Sequence, residues 1–353
     1  MTKRVLIGMS GGVDSSVSAL LLKKAGYEVI GATMKLWEPE CKNATNNTSQ
    51  AVIDAQKVCE KLGIEHHIID CKEEFNKKVI QNFITEYSSA KTPNPCVECN
   101  KYLKFGAFYK KALELNCDYI ATGHYAKIEY SEKYNQYVLK KSDSEKKDPT
   151  YFIYGINKEI LPKILFPLNK YENKEEVRKI ARENGLEVAE KSDSQEVCFI
   201  PDNDYAKFVC KHVKQSSGNI VLKDGTILGK HNGLINYTIG QRKGLGIAYK
   251  EPLYVLELNT ITNEVIVGTE EQLYSDKLYA NELNFLVDLE IDKPMPIKAK
   301  VRFRAKEADA ILYPPENGVS KLEFKTPQRA ITPGQSVVFY IDDILLGGGK
   351  ILR

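Results

Sequence analysis

The sequence predicts an α/β N-terminal domain built on a parallel sheet, followed by a small central β-rich domain and a C-terminal β-barrel. Three observations carry this. Over the first two hundred of the 353 residues, β-like runs alternate with helical stretches of about ten to fifteen residues. Near Asp202 the alternation gives way to short strands and frequent turn signals. From about Lys277 nearly every segment reads as strand, ending in Val337-Val338-Phe339-Tyr340. The domain limits set this way are 1–205, 206–275 and 276–353.

Taken in order, residues 3–9 read as a strand that runs into Ser10-Gly11-Gly12, and 13–25 as a helix with Val13, Val17, Leu20 and Leu21 along it, stopped by Gly26. Residues 28–36 form a second strand. The Asn/Thr-rich stretch 41–50 reads as a loop, 51–62 as a helix closed by Gly63, and 65–70 as a third strand. Helices over 72–88 and 102–115 precede a fourth strand at 119–122. The charged strip 140–148 reads as a loop. Asp224-Gly225, Asn232-Gly233 and the glycines of 240–246 mark turns in the central part.

Composition narrows the function. With 42% hydrophobic residues, 20 Tyr and 12 Phe, the chain has ample material for buried cores. No apolar run reaches the length of a membrane-spanning helix, and the basic start leads straight into a glycine-rich turn, as a first strand does and a signal peptide does not. The net charge is +3, so any nucleic-acid site must be a local patch. Eight cysteines without a secretory signal argue against a disulfide framework and for buried small apolar residues, the close pair Cys96 and Cys99 excepted.

Ser10-Gly11-Gly12-Val13-Asp14-Ser15-Ser16 stands between the first strand and the first helix. Adjacent glycines let the backbone turn closely around an anion, and the helix start offers unpaired N–H groups and the positive end of its dipole. The Gly-Lys-Ser/Thr ending of a Walker A loop is missing. A bare Gly-Gly would be an ordinary strand–helix turn, but the whole string resembles the pyrophosphate loop of N-type ATP pyrophosphatases, an adenine-nucleotide-hydrolase-like fold. That resemblance implies ATP with Mg2+ at Gly8, Met9, Ser10, Gly11, Gly12, Val13, Asp14 and Ser15, with Met34 at the adenine and Gly123 at the same edge of the sheet.

Cys96 and Cys99 lie in a rigid Pro-rich loop before a helix, where Cys99 at a helix start beside Lys101 and Lys104 is expected to have a lowered pKa. No second CxxC or His pair accompanies them, which argues against structural zinc. Cys198, beside Phe199 and Ile200, would alone read as core. Together GMSGGVDSSV, TPNPCVECNKYLKF, ATGHYAKI, KSDSQEVCFI, YTIGQRKGLG and TPGQSVVFYIDDILLGGGKIL resemble the bacterial tRNA-specific 2-thiouridylase family, in the family's order and over nearly the whole chain. The resemblance implies a cytoplasmic tRNA-uridine 2-sulfurtransferase that adenylates the C2 oxygen of the wobble uridine, position 34. Cys99 matches the nucleophile and Cys198 the persulfide carrier. Implied partners are tRNA, with Lys, Glu and Gln acceptors, and a sulfur donor such as a cysteine desulfurase or sulfur-relay protein. One departure stands out: many members have Asp where this chain has Cys96. Three thiolates, Cys96, Cys99 and Cys198, could hold a 4Fe–4S cluster as sulfide carrier. A persulfide enzyme in which Cys96 is a tolerated small residue is the other reading.

Residues 298–306 alternate basic and apolar, so that in one strand Lys298, Lys300, Arg302, Arg304 and Lys306 would share a face. The pattern alone equally fits a solvated strand. The resemblance implies tRNA contacts at Arg302 and Phe303, at Lys147, Asp148 and Pro149, at His124 and Gln335, and at Asn94, Pro95 and Cys96 beside the target base. Pro149 replaces a polar residue in that pattern. Competing readings are an amidotransferase-type synthetase, which leaves Cys99 and Cys198 unexplained, and a non-catalytic RNA-binding protein, which leaves the phosphate loop unexplained.

Overall fold

The structure, a computed structural model, describes residues 2–37, 47–142, 148–191, 197–200 and 204–352. First along the chain come β1 (Arg4–Gly8), β2 (Glu28–Lys35), β3 (Glu65–Asp70), β4 (Tyr119–Ala121), a hairpin of β5 (Ala126–Ser131) and β6 (Gln136–Lys141), and a short β7 (Ile164–Leu165). Five of these make a parallel sheet in the order β3-β2-β1-β4-β7. Val5, Leu6 and Ile7 of β1 are all 0% exposed. Consecutive buried residues mean that helices cover both faces. Leu6 packs with Ile30, Phe108 and Ile120, whereas Val5 and Ile7 pack on the other side with Val17, Leu20 and Val58. The chain runs outward from β1 through β2 to β3, then crosses to β4 on the opposite flank of β1. Strand order therefore reverses between β1 and β4, where ligands bind in open α/β sheets.

Helix starts differ from the sequence expectation in two places. The helix α2 (Asn47–Leu62), which follows α1 (Val13–Lys24), begins four residues before Ala51, so the expected loop 41–50 ends in helix; 41–46 lie outside the described residues. Asn/Thr content suggested a loop because these residues favour helix starts and turns alike. The helix expected at 102–115 begins at Pro95, with Pro at its first position. It runs through Pro95–Glu98, a π-helical segment Cys99–Ala107 and Phe108–Glu114. Lys140 and Lys141 belong to β6, and Asp148 is buried, so the charged strip is not an open loop at either end.

The central part is a four-stranded sheet of β8 (Gly218–Leu222), β9 (Ile227–His231), β10 (Tyr254–Asn259) and β11 (Glu264–Gly268), in the order β10-β11-β8-β9. The C-terminal part holds β12 (Tyr274–Phe285), β13 (Met295–Lys300), β14 (Ala308–Leu312), β15 (Ser320–Arg329), β16 (Ser336–Ile341) and β17 (Ile344–Ile351). They run β12-β15-β14-β13-β16-β17, and β12 pairs with β17 to close a six-stranded barrel around Leu278, Leu322, Val337, Phe339 and Leu346.

The hairpin β5–β6 extends the barrel's sheet through Ile344 and Lys140. The Gln136 side chain donates to Leu286 O at 2.9 Å and accepts from Asp288 N at 3.1 Å. Buried Tyr151 donates to Ser336 O of the barrel at 3.0 Å. These contacts join the barrel to the hairpin and to the helix at Thr150–Ile153 of the first domain.

Candidate functional site

The string Ser10–Ser16 leaves β1 and enters α1, as its composition required. Gly11 has φ +68°, and Gly12 caps α1 in an extended conformation without a side-chain capping bond, so the first turn's N–H groups are not closed off by a cap. The serines brace the loop: Ser15 and Ser16 donate to Gly12 O at 3.1 and 2.8 Å, and Ser15 Oγ accepts from Ser10 N at 3.2 Å. Thr33 donates to Met9 O at 2.8 Å, which ties β2 to the loop's entry. At the end of β4, a Cβ on Gly123 would lie 3.0 Å from Asp14 C and Ser15 N. The end of β4 thus meets the first turn of α1 with no room for a side chain at Gly123.

Three partners of this loop were not singled out from the sequence. Tyr125 donates to Asp14 Oδ1 at 2.8 Å, and Lys174 donates to Asp14 Oδ2 at 3.1 Å. Lys191 donates to Gly11 O at 3.0 Å. Tyr125 and Lys191 sit within strings already quoted, ATGHYAKI and KSDSQEVCFI. Lys174 carries no local signal, because its role depends on a helix packed against α1 from far along the chain.

Cys99 lies beside Met34 near the end of β2. Met34, Cys99 and Val197 pack in one apolar cluster with Phe75, Phe83 and Phe199. Phe199 is buried edge-on against Phe75 and Phe83, at ring distances of 5.7 and 5.3 Å, and this anchors Cys198 next to it in sequence. Cys99 lies in the second turn of its helix and Cys96 in the first, so the expected activation of Cys99 by a helix start does not hold. Burial pushes the Cys99 thiol up, with Lys104 opposing it. Cys96 and Cys198 are exposed to solvent. Burial pushes the Cys96 thiol up too, again against Lys104. Burial, then the neighbouring Cys99 and Cys96, push Cys198 to about 12. Lys104 is the common cation of this group. It stands five residues after Cys99, and the wider turn of the π-helical segment keeps such a pair on one side.

Among the described residues no three His, Cys, Asp or Glu side chains stand close enough together to hold a metal ion. A 4Fe–4S cluster takes each thiolate on a different iron, so this does not bear on Cys96, Cys99 and Cys198, which lie near enough to act on one another electrostatically. Asp14 could share Mg2+ with nucleotide phosphates only by exchanging a bond, since Tyr125 and Lys174 hold its two oxygens.

The other expected residues divide. Gln335 donates to Thr92 O at 2.9 Å, and Thr92 N donates to Pro333 O at 2.9 Å, so the barrel grips the loop carrying Asn94, Pro95 and Cys96. His124 bonds Thr122 Oγ1 through Nδ1 at 2.7 Å, between Phe105 and Phe166. Burial, and then Lys104, hold its imidazole well below the usual range, hence neutral. The expected nine-residue basic strand stops at Lys300, because residues 301–305 turn and Ala305 N bonds Arg302 O. The five cations do not share one strand face. Arg302 Nη2 donates to Ile239 O, Ala330 O and Thr332 Oγ1 at 3.2, 2.7 and 2.6 Å, joining the central part to the barrel. Phe303 is 38% exposed, with Phe152 at 4.5 Å on one side and Lys300 5.7 Å from its ring. Asp148 is buried and accepts from Thr150 N and Oγ1, Pro149 is buried, and Lys147 lies outside the described residues.

Family models match nearly the whole length in three parts. Residues 3–202 match the tRNA methyl transferase HUP domain, 206–269 the tRNA methyl transferase PRC-barrel domain, and 275–351 the aminomethyltransferase beta-barrel domain. The tRNA-specific 2-thiouridylase MnmA of Acetivibrio thermocellus is 49% identical over 357 residues, covering 99% of both chains. That of Clostridioides difficile is also 49% identical, covering 99% of this chain and 98% of its own.

Two outcomes follow from this geometry. Gly123→Ala should push the first turn of α1 aside and weaken ATP binding by at least about tenfold, read by calorimetry on the free protein; an unchanged Kd would contradict the close approach. At pH 8 a thiol near 12 is thiolate in about one molecule in ten thousand. Alkylation of Cys198 by iodoacetamide, followed by peptide mass spectrometry, should therefore rise about tenfold per pH unit from 7 to 10. A plateau near the pKa of an ordinary cysteine would show that the thiol is not crowded.

Proposed function

The chain belongs to the tRNA-specific 2-thiouridylase family, and from that premise we propose how its residues divide the reaction. It is a tRNA-uridine 2-sulfurtransferase that acts on tRNA and uses ATP. The observation that carries the proposal is the meeting of two sites at one sheet edge: the glycine loop at β1 and β4, and Cys99, packed with Met34 and neighbouring Cys198. Methyl transfer, the activity in the family models' descriptions, would leave the phosphate loop without a task.

In this proposal Gly8 through Ser15, with Met34 and Gly123, bind ATP, and Asp14 holds Mg2+, which neutralises phosphate charge. The C2 oxygen of the wobble uridine attacks the α-phosphorus and pyrophosphate leaves. That step is needed because a carbonyl oxygen departs poorly until it is phosphorylated. Cys198 carries the persulfide received from a sulfur donor such as a cysteine desulfurase or relay protein. Cys99 attacks the inner sulfur, the S–S bond breaks, and a Cys99–Cys198 disulfide forms as sulfide leaves. Sulfide then adds at C2 and AMP departs with the former oxygen. Lys104, facing Cys96, Cys99 and Cys198, favours the anionic sulfur that this needs. The alternative is the same reaction with a 4Fe–4S cluster on Cys96, Cys99 and Cys198, which act on one another electrostatically, as sulfide carrier.

Asn94, Pro95 and Cys96 border the target base, supported by the grip of Gln335 on their loop. Phe303, exposed between Lys300 and Arg304, suits stacking on a base, and Arg302 fixes the turn that presents it. His124 and Lys147 complete the proposed tRNA set, with Lys, Glu and Gln acceptors as substrates, while Asp148 and Pro149, expected there, are buried and are left out of it. The proposed domain limits remain 1–205, 206–275 and 276–353.

Cys99→Ser and Cys198→Ser should each abolish 2-thiouridine formation while tRNA-dependent pyrophosphate release survives. Cys96→Ala should retain activity in aerobic, iron-free enzyme supplied with a persulfide donor. Loss of activity in Cys96→Ala together with a requirement for iron would overturn the persulfide assignment, and full activity in Cys198→Ser would overturn both schemes.

A further inference from the structure

Lys191 and Asp54 form an ion pair that no step above uses. Lys191 Nζ lies 2.6 Å from Asp54 Oδ2, and the same nitrogen donates to Gly11 O at 3.0 Å. Asp54 is on α2, one turn after Ala51, and its side chain is 17% exposed. It also accepts from Gln50 Nε2 at 2.8 Å. Burial raises its carboxyl, but the bonds from Lys191 and Gln50 outweigh this and hold it below the usual carboxylate range, so it is charged at neutral pH.

The Gly11 carbonyl is the point where this pair meets the phosphate loop. A Cβ on Gly11 would lie 2.5 Å from Ala51 O, so α2 presses directly on the loop there. The Gly11–Gly12 peptide is a trans plane, and its N–H points opposite to its C=O. A cation that fixes Gly11 O therefore also fixes the direction of the Gly12 N–H, away from Lys191. That N–H is among the donors a phosphate would use at the start of α1. Lys191 opens the string that leads to Cys198, and Asp54 comes from the other side of the loop.

We propose that Lys191 and Asp54 are a positioning pair that sets the Gly11–Gly12 peptide with its N–H toward the ATP phosphates, Lys191 acting through the carbonyl and not on a phosphate. The inference rests on the nucleotide reading of the loop and names a further determinant of it. It differs in sign from direct phosphate binding. If Lys191 gripped phosphate, removing the Asp54 charge would free the lysine and remove a negative neighbour, and ATP would bind as well or better. If the pair positions the peptide, Lys191 needs Asp54 to stay on Gly11 O, and ATP binding weakens.

The test is equilibrium binding of ATP and of adenosine to the full-length protein and to Asp54→Asn, Lys191→Met, the double variant and Lys191→Arg. Asp54→Asn and Lys191→Met are each expected to weaken ATP binding about tenfold, the low end for a hydrogen bond to a charged group. The double variant should be no worse than either single one, Lys191→Arg should keep most of the affinity, and adenosine should bind all of them alike. Unchanged or tighter ATP binding by Asp54→Asn, additive losses, or a parallel loss of adenosine binding would overturn the proposal. A parent protein that binds no ATP would sink the nucleotide reading itself; one that binds ATP while the variants match it sinks the pair alone.

Discussion

The reactive edge of the sheet depends on one backbone approach. The chain leaving β4 passes so close to the first turn of α1 that Gly123 has no room for a side chain against Asp14 and Ser15. Strand order reverses at this point, so the phosphate loop, the β4 end and the residues after it face one crevice. Tyr125, two residues past Gly123, reaches Asp14, while Lys174 and Lys191 reach the loop from later in the chain. A bulkier residue at 123 would displace the turn that all of them brace.

The second half of the chemistry is held from a distance. Gln335 and Pro333 of the barrel bond Thr92 and so fix the approach to Pro95 and the helix of Cys96 and Cys99. Arg302 ties the barrel to the central part by bonds to carbonyls and a hydroxyl. The cysteines rest as thiols because burial outweighs Lys104. A free thiolate in a cell is exposed to oxidation and stray alkylation, and thiols that ionise only when sulfur is transferred avoid both.

Much of this was legible in the sequence. The strand–Ser-Gly-Gly–helix order marked the turn between β1 and α1, and the loss of helical period near Asp202 marked the change to β structure. Cys198 was legible only through the string around it, since Phe199 and Ile200 alone read as core. Three features were hidden. The Arg302 segment kept a strand's alternation but turns instead, because three oxygen acceptors from distant residues claim its guanidinium. Cys99 was expected at a helix start, yet Pro95 begins the helix a turn earlier. The pairing of β6 with β17 joins residues two hundred apart, which no local pattern encodes.

The central claim is that one sulfur, carried on Cys198, passes to an adenylated uridine at the expense of a Cys99–Cys198 disulfide. The most direct measurement is a single turnover of persulfide-loaded, iron-free protein with ATP and tRNA and no reductant, counting 2-thiouridine, AMP and the Cys99–Cys198 disulfide by mass spectrometry. The account predicts that all three form in equal amounts and that turnover then stops until a reductant is added. Formation of 2-thiouridine with both cysteines left as free thiols, or only after iron is restored, would contradict it.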